Sequence, residues 1–233
     1  GKYAEAVPYA KIVIDSPHSL ATNDDLKMNS AFNKLRSTDD LDEVIYAQEY
    51  DNAVNTSDWF PTYAFNSSAV SVFGTYSIFE RVYGPTDEFL NVYEKNDLRI
   101  QPNQFFHWEY TNPNTGATWS SKNAGCWYYY DEDALLSTGK GTKDWNVYRY
   151  AEALLDGAEA IAQSQGVTAE AAGYLAQVQA RADMEGKTAD QIASELQKLS
   201  KQAFIEACWT ERLREFPLEY KIWDDCVRTG KFP

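Results

Sequence analysis

Two stretches of this chain set flat aromatic side chains among short polar ones. The first runs Asn55-Thr56-Ser57-Asp58-Trp59-Phe60-Pro61-Thr62-Tyr63-Ala64-Phe65-Asn66. The second, from Phe105 to Tyr130, holds Trp108, Tyr110, Trp119, Trp127, Tyr128 and Tyr129 among Asn, Ser and Thr. A sugar ring has one face of C–H groups rimmed by hydroxyls. An aromatic ring covers that face, and neighbouring amide, carboxylate or guanidinium groups satisfy the rim. Trp59, Tyr63, Trp108 and Trp119 are the candidate glycan contacts, because polar or turn residues surround them. The competing reading is structural: irregular regions need aromatics to pin them to a core. On that reading Trp127 and the Tyr128-Tyr129-Tyr130 run form a strand with one buried face.

Other clusters invite a catalytic reading and lose it. Glu211, Arg212, Arg214 and Glu215 combine carboxylates with cations, and paired carboxylates are what glycoside hydrolysis needs. Their spacing is that of local ion pairs on one helix, so a structural network is expected, reaching to Asp224 and Arg228. His18 and His107 lack a second ligand at metal spacing, and His107 is expected to be a hydrogen-bonded structural residue. Asp131-Glu132-Asp133 suits an acidic surface turn better than a calcium site. Lys140-Gly141-Thr142-Lys143 lacks the glycine spacing of a phosphate loop, and neither a nucleophile elbow nor GxGxxG occurs. No pair of carboxylates facing one cleft can be named. The expectation is a protein without catalytic residues, metal or other cofactor.

Composition narrows the partners. The chain has 233 residues, with 16 Tyr, 11 Phe and 7 Trp, an aromatic share that exceeds an ordinary core's needs. A formal net charge of −14 argues against nucleic acid and anionic lipid, both of which need clustered Lys and Arg. It is compatible with an uncharged ligand such as a sugar. Cys126, Cys208 and Cys226 have no metal-ligand spacing and read as isolated thiols in or near the core. No apolar run is long enough to span a bilayer.

The elements that must carry these residues follow from periodicity. Residues 2–15 read as an amphipathic helix that Pro8 kinks or begins. A short strand is expected at 43–49, loops at 51–84, and a short helix from Asp87 to Asn96 after Gly84-Pro85-Thr86. Residues 101–143 read as irregular, with a turn at Asn112-Pro113-Asn114-Thr115-Gly116. From Asp144 the apolar period becomes helical. One helix through Val147, Leu154 and Ile161 ends at Gly166, and a second, capped by Thr168, ends near Gly186. A third, opened by the Thr188/Gln191 capping box, continues to about Phe216. A last one carries Tyr220, Trp223 and Val227 and stops at Gly230.

Four segments in this region resemble the SusD/RagB family. They are Val147-Tyr148-Arg149-Tyr150-Ala151-Glu152 with its continuation to Ala160, Tyr174 to Ala182, Glu211-Arg212-Leu213-Arg214-Glu215-Phe216, and Trp223-Asp224-Asp225 with Arg228-Thr229-Gly230-Lys231. They stand in the family's order at compatible separations over about ninety residues. Gly1 to Ser16 is similar to the family's last tetratricopeptide-type helix. Asp42 to Ala47 resembles the stretch after it, and Tyr83 to Thr86 leading to Asn96-Asp97-Leu98-Arg99 resembles a further one. Gln179 replaces a usual Arg, and Tyr220 stands where the family has a small Gly.

The resemblance implies a mainly α fold, a SusD-like tetratricopeptide-type helical superhelix with a large irregular insertion. The chain is then a single domain fragment, its second half: residues 1–16 a tetratricopeptide-type helix, 17–143 the ligand-binding insertion, and 144–233 the C-terminal helical segment. It further implies a non-enzymatic surface lipoprotein of the Gram-negative outer membrane. Such a protein binds an oligosaccharide or polysaccharide for nutrient uptake and delivers it to a SusC-like TonB-dependent transporter. Membrane attachment would come only from a lipid anchor missing from this chain. The alternative expectation is a helical adaptor that binds a protein segment through a tetratricopeptide-type face.

Overall fold

A computed structural model describes residues 1–51, 53, 59–73 and 84–231. In chain order it forms α1 (Tyr3–Ile14), α2 (Ala31–Ser37), β1 (Val44–Gln48), α3 (Val70–Phe73), α4 (Asp87–Leu90), β2 (His107–Thr111) and β3 (Thr118–Gly125). Then come α5 (Glu132–Leu136), β4 (Trp145–Arg149), α6 (Tyr150–Gln165), α7 (Ala169–Ala182), α8 (Ala189–Leu196), α9 (Lys201–Glu215) and α10 (Ile222–Thr229). Short 3-10 turns occur at Phe60–Tyr63, Ser67–Ala69, Leu98–Ile100 and Trp127–Tyr129. The mainly α fold is the one expected. The chain forms two compact units. A helical unit comprises Gly1–Thr22, Leu41–Tyr46 and Asn146–Pro233, and an aromatic unit comprises Asn23–Asp40 and Ala47–Trp145.

In the helical unit, α6 packs against α1, α7 and α9, and α7 packs against α8. Small residues make this close packing possible: Ala151, Ala158, Ala172 and Ala176 lie in the core beside Leu154, Ile161, Leu175 and Phe204. The helix starts are chemically marked. Thr168 accepts the Ala171 N–H, Thr188 and Gln191 form the reciprocal capping box, and Ser200 accepts the Ala203 N–H. That last cap corrects one expectation: the helix from Thr188 to Phe216 is two helices, because the Ser200 side chain restarts the backbone after Leu196. The helix expected from Asp144 begins at Tyr150 instead, since residues 145–149 form β4, paired with β1. Helix α1 runs through Pro8 unbroken, and α10 ends at Gly230 in the left-handed region, φ 69°. Tyr220, at the position where glycine was expected, has φ 60°, a conformation that costs a side chain about 1 kcal/mol or more.

In the aromatic unit the expected helix starts at Asp87, with the Thr86 side chain accepting the Phe89 N–H, but ends at Leu90, not Asn96. Asn91 and the residues beyond it make single turns. Residues expected to be irregular form the antiparallel β2–β3 hairpin, with Tyr110 opposite Trp119, His107 opposite Gly125, and a bulge between His107 and Glu109. Its turn is the predicted one: the Asn112 Oδ1 accepts the N–H groups of Asn114 and Thr115. The run Trp127–Tyr129 is a buried 3-10 turn, not a strand, closed by N–H donation from Tyr129 to Cys126 O and from Tyr130 to Trp127 O. Phe65 is the hub of the core, edge-on to His107, Tyr110 and Trp119. Gly125 lets the chain close over this core, for a Cβ there would lie 2.3 Å from His107 Nε2 and 2.5 Å from the Ala64 oxygen. The three cysteines are buried and unbridged, as expected of isolated thiols.

Candidate functional site

The short turn Phe60–Tyr63 presents the first candidate. Trp59 precedes it, and its carbonyl accepts both the N–H and the hydroxyl of Thr62. Phe60 stacks on Trp145 at 4.4 Å and on Tyr129 at 5.2 Å, which fixes the turn from below. The anchored Phe60 leaves Trp59 at the surface, 43% exposed, with the Lys140 ammonium 4.9 Å from its ring centre. Tyr63, on the same turn, is half-buried and edge-on to Phe60. Asn55 to Asp58, the polar half of this stretch, lie outside the described residues.

The hairpin separates the other two candidates. Trp108 on β2 is half-buried, and among the described residues no ring contact joins it to Trp59 or Tyr63. Trp119 on β3 is only 3% exposed. Its indole Nε1 donates to Ser68 Oγ at 2.8 Å, and its ring packs on His107 and Phe65. That corrects its assignment as a sugar platform: both the ring and the polar edge of Trp119 are engaged in the core.

His107 is structural, as expected. It is fully buried and its Nε2 lies 2.8 Å from the Ala64 carbonyl, so Nε2 carries the donated proton. Burial pushes its pKa down to about 4 although the hydrogen bond to Ala64 opposes this, and the ring is neutral at physiological pH. The acidic triple at Asp131 is a helix start, in which the Asp131 carboxylate accepts the Ala134 N–H.

Of the carboxylates weighed for catalysis, Glu215 is held in ion pairs and Glu211 accepts a hydrogen bond from Gln179 Nε2. Arg149 contacts Glu43, Glu215 and Glu219, and Arg181 contacts Glu43 and Glu215, all in the interior of the helical unit. Burial raises the Glu219 carboxyl above its ordinary range against the pull of Arg149. A second cluster joins Arg212 to Glu152, Asp156 and Asp225, and Arg228 to Glu159 and Asp225. Asp225, not the expected Asp224, is the member from α10. Asp224 is exposed, and Asp225 lies three residues before Arg228 on the inward face. Lys140 is the residue that sequence reasoning passed over. It was weighed only as part of a phosphate loop, and its closeness to Trp59 is visible only in the fold.

Comparison with known proteins places this geometry. The SusD family model matches residues 86–232. A SusD superfamily protein from Parabacteroides distasonis has the same fold, with TM-score 0.78 and 23% identity over 97% of this chain and 46% of that one. Surface glycan-binding protein A from Bacteroides uniformis aligns with TM-score 0.68 and 21% identity, covering 98% of this chain and 45% of its own. Surface glycan-binding protein A from Bacteroides thetaiotaomicron, in complex with laminarihexaose, aligns with TM-score 0.67 and 20% identity, covering 99% of this chain and 50% of that one. The chain thus spans about half the length of the structures it matches, and the SusD-like helical architecture is common to them. No curated protein matches the chain.

Proposed function

The chain belongs to the SusD family, and from that premise we propose that it is a glycan-binding component of a nutrient-uptake system, capturing oligosaccharide without turning it over. The observation that carries this reading is the half-exposed Trp59 on a turn held rigid by stacked rings, with Tyr63 beside it. An indole in that setting is an amphipathic platform for the C–H face of a sugar. The laminarihexaose complex of a structural neighbour supports the class of ligand. In the whole protein the site would act at the outer surface of a Gram-negative outer membrane, attached through a lipid anchor. There it would pass its ligand to a SusC-like TonB-dependent transporter. Tyr63 and Trp108 are proposed as secondary contacts, and Trp119 supports the fold from below.

Affinity electrophoresis in gels cast with plant, host and microbial polysaccharides tests the proposal. Retardation by one glycan, abolished in a folded Trp59→Ala variant, is the expected result. Free migration through every gel by a folded chain would sink it. One observation favours the adaptor reading as the alternative. Helix α1 exposes Tyr9 and Ile12, and Ala6, Tyr9 and Ala10 line an apolar groove with Ile45, Tyr148 and Ala153. Binding of a peptide there, with no glycan bound anywhere, would decide for it.

A further inference from the structure

The surroundings of Trp59 narrow the ligand. We propose that the Trp59 surface takes an acidic oligosaccharide and that Lys140 pairs with a uronate carboxylate. The proposal rests on Trp59 being a glycan platform. This chain carries 35 Asp and Glu against 21 Lys and Arg, so a cation ordinarily finds a carboxylate. Lys143 pairs with Asp39 at 2.9 Å, and Lys34 pairs with Asp24 at 2.8 Å. Lys140, three residues before Lys143, does not: among the described residues its ammonium makes no ion pair and lies over the Trp59 ring instead.

The backbone holds it there. Thr138 Oγ1 accepts the Lys140 N–H, and Gly139 turns the chain with φ 76°. Among the described residues, Asp39 is engaged with Lys143, Asp144 Oδ1 with the Tyr50 N–H, and Asp131 with the Ala134 N–H. An exposed cation–π contact and an exposed ion pair are comparably weak. The ammonium can therefore leave the indole for a ligand carboxylate at little net cost, and in leaving it uncovers a ring face for the sugar. The overall charge of −14 does not forbid this, since charges beyond about 8 Å are screened at physiological ionic strength.

The test is calorimetric titration of the chain with oligosaccharides of polygalacturonate and alginate, each beside its carboxyl-reduced counterpart, with dextran sulfate as a separate arm. The acidic forms should bind more tightly than the reduced ones by about fivefold at low salt, and high salt should shrink the difference. Lys140→Met, which keeps an apolar stem over the ring, should erase the preference while leaving the reduced forms unaffected. Lys140→Arg should restore it. The proposal is overturned if reduced forms bind equally well or if the preference survives Lys140→Met. Lys140-dependent binding of dextran sulfate at equal strength would overturn the carboxylate assignment. Binding of neutral forms alone would leave the glycan-binding function standing and remove this inference, whereas a folded chain that binds neither form would remove both.

Discussion

In the helical unit the backbone satisfies itself, while in the aromatic unit side chains must do it. Helices α6, α7 and α9 close their own hydrogen bonds, so their shared interior is mainly Ala, Leu, Ile and Phe, with Tyr150, Val178 and Cys208. The charges that enter that unit arrive as mutual partners, Arg149 and Arg181 among Glu43, Glu215 and Glu219. The aromatic unit changes direction every few residues, and buried amides close its loose ends. Asn33 Nδ2 donates to the carbonyls of Lys27 and Asn103, and Gln104 Nε2 donates to Lys27 O. Rings then fill the space that regular elements would have filled, with Phe65, His107, Tyr110, Trp119 and Trp127 in mutual contact. Losing a charge should therefore break the first unit and losing volume the second, while losing the surface ring should break neither.

Glu43→Ala is the strongest form of that comparison. It leaves two buried guanidinium groups each short of a partner, and a loss of about 3–5 kcal/mol is expected in urea melts followed by far-ultraviolet circular dichroism. Native-like stability of that variant would mean that the cluster does not hold the helical unit. In the aromatic unit, Trp119→Ala should cost about 3 kcal/mol by opening a cavity beside Phe65, with the near-ultraviolet signal lost first.

Acidification should also act on the aromatic unit. The pKa of His107 is lowered from its ordinary 6.5 to about 4. Between those values the unfolded chain holds a proton that the folded chain does not, so stability is present above the window and lost as pH falls through it. From pH 7 to pH 5 that loss is about 2 kcal/mol. Comparing the melts of wild type and His107→Gln across the window isolates this contribution, and an unchanged slope would remove His107 as its source. The smallest effect belongs to Trp59→Ala, expected to change stability by no more than about 0.5 kcal/mol. A large drop there would make Trp59 an anchor like Trp119 and undercut its role as a platform.

The periodic parts of the chain were legible because their physics is local. Thr168 and Thr188 cap the helices they were expected to cap, and a helix starts after Thr86 where one was expected. The break between α8 and α9 was hidden because Leu196, Leu199 and Phe204 carry an apolar pattern across it, and only Ser200 marks it. Strand β4 was absorbed into a helix because Val147 and Tyr150 fit either period. Among the candidate contacts, Trp119 misled because its polar neighbours Thr118 and Ser120 are the outward residues of an alternating strand, which puts the indole itself inside. Around Trp59 polar neighbours did accompany exposure, because the ring sits beside a turn rather than within a strand. Asp225 was readable from its three-residue spacing to Arg228. Lys140 was not, since its meeting with Trp59 joins positions far apart in the chain.

Glu43 reaches Arg149 across 106 residues and Arg181 across 138. On a ribosome adding about 5–20 residues per second, the carboxylate is made roughly 5–30 s before its last partner exists. Helix α1 precedes the whole aromatic unit in the chain, yet the unit it belongs to is completed after that one. Every residue of the aromatic unit precedes Asn146, so that unit is complete in the nascent chain while the helical one still awaits its second half. Order along the chain is thus not the order of completion in space, and both Gly1–Thr22 and Leu41–Tyr46 must wait for Asn146–Pro233.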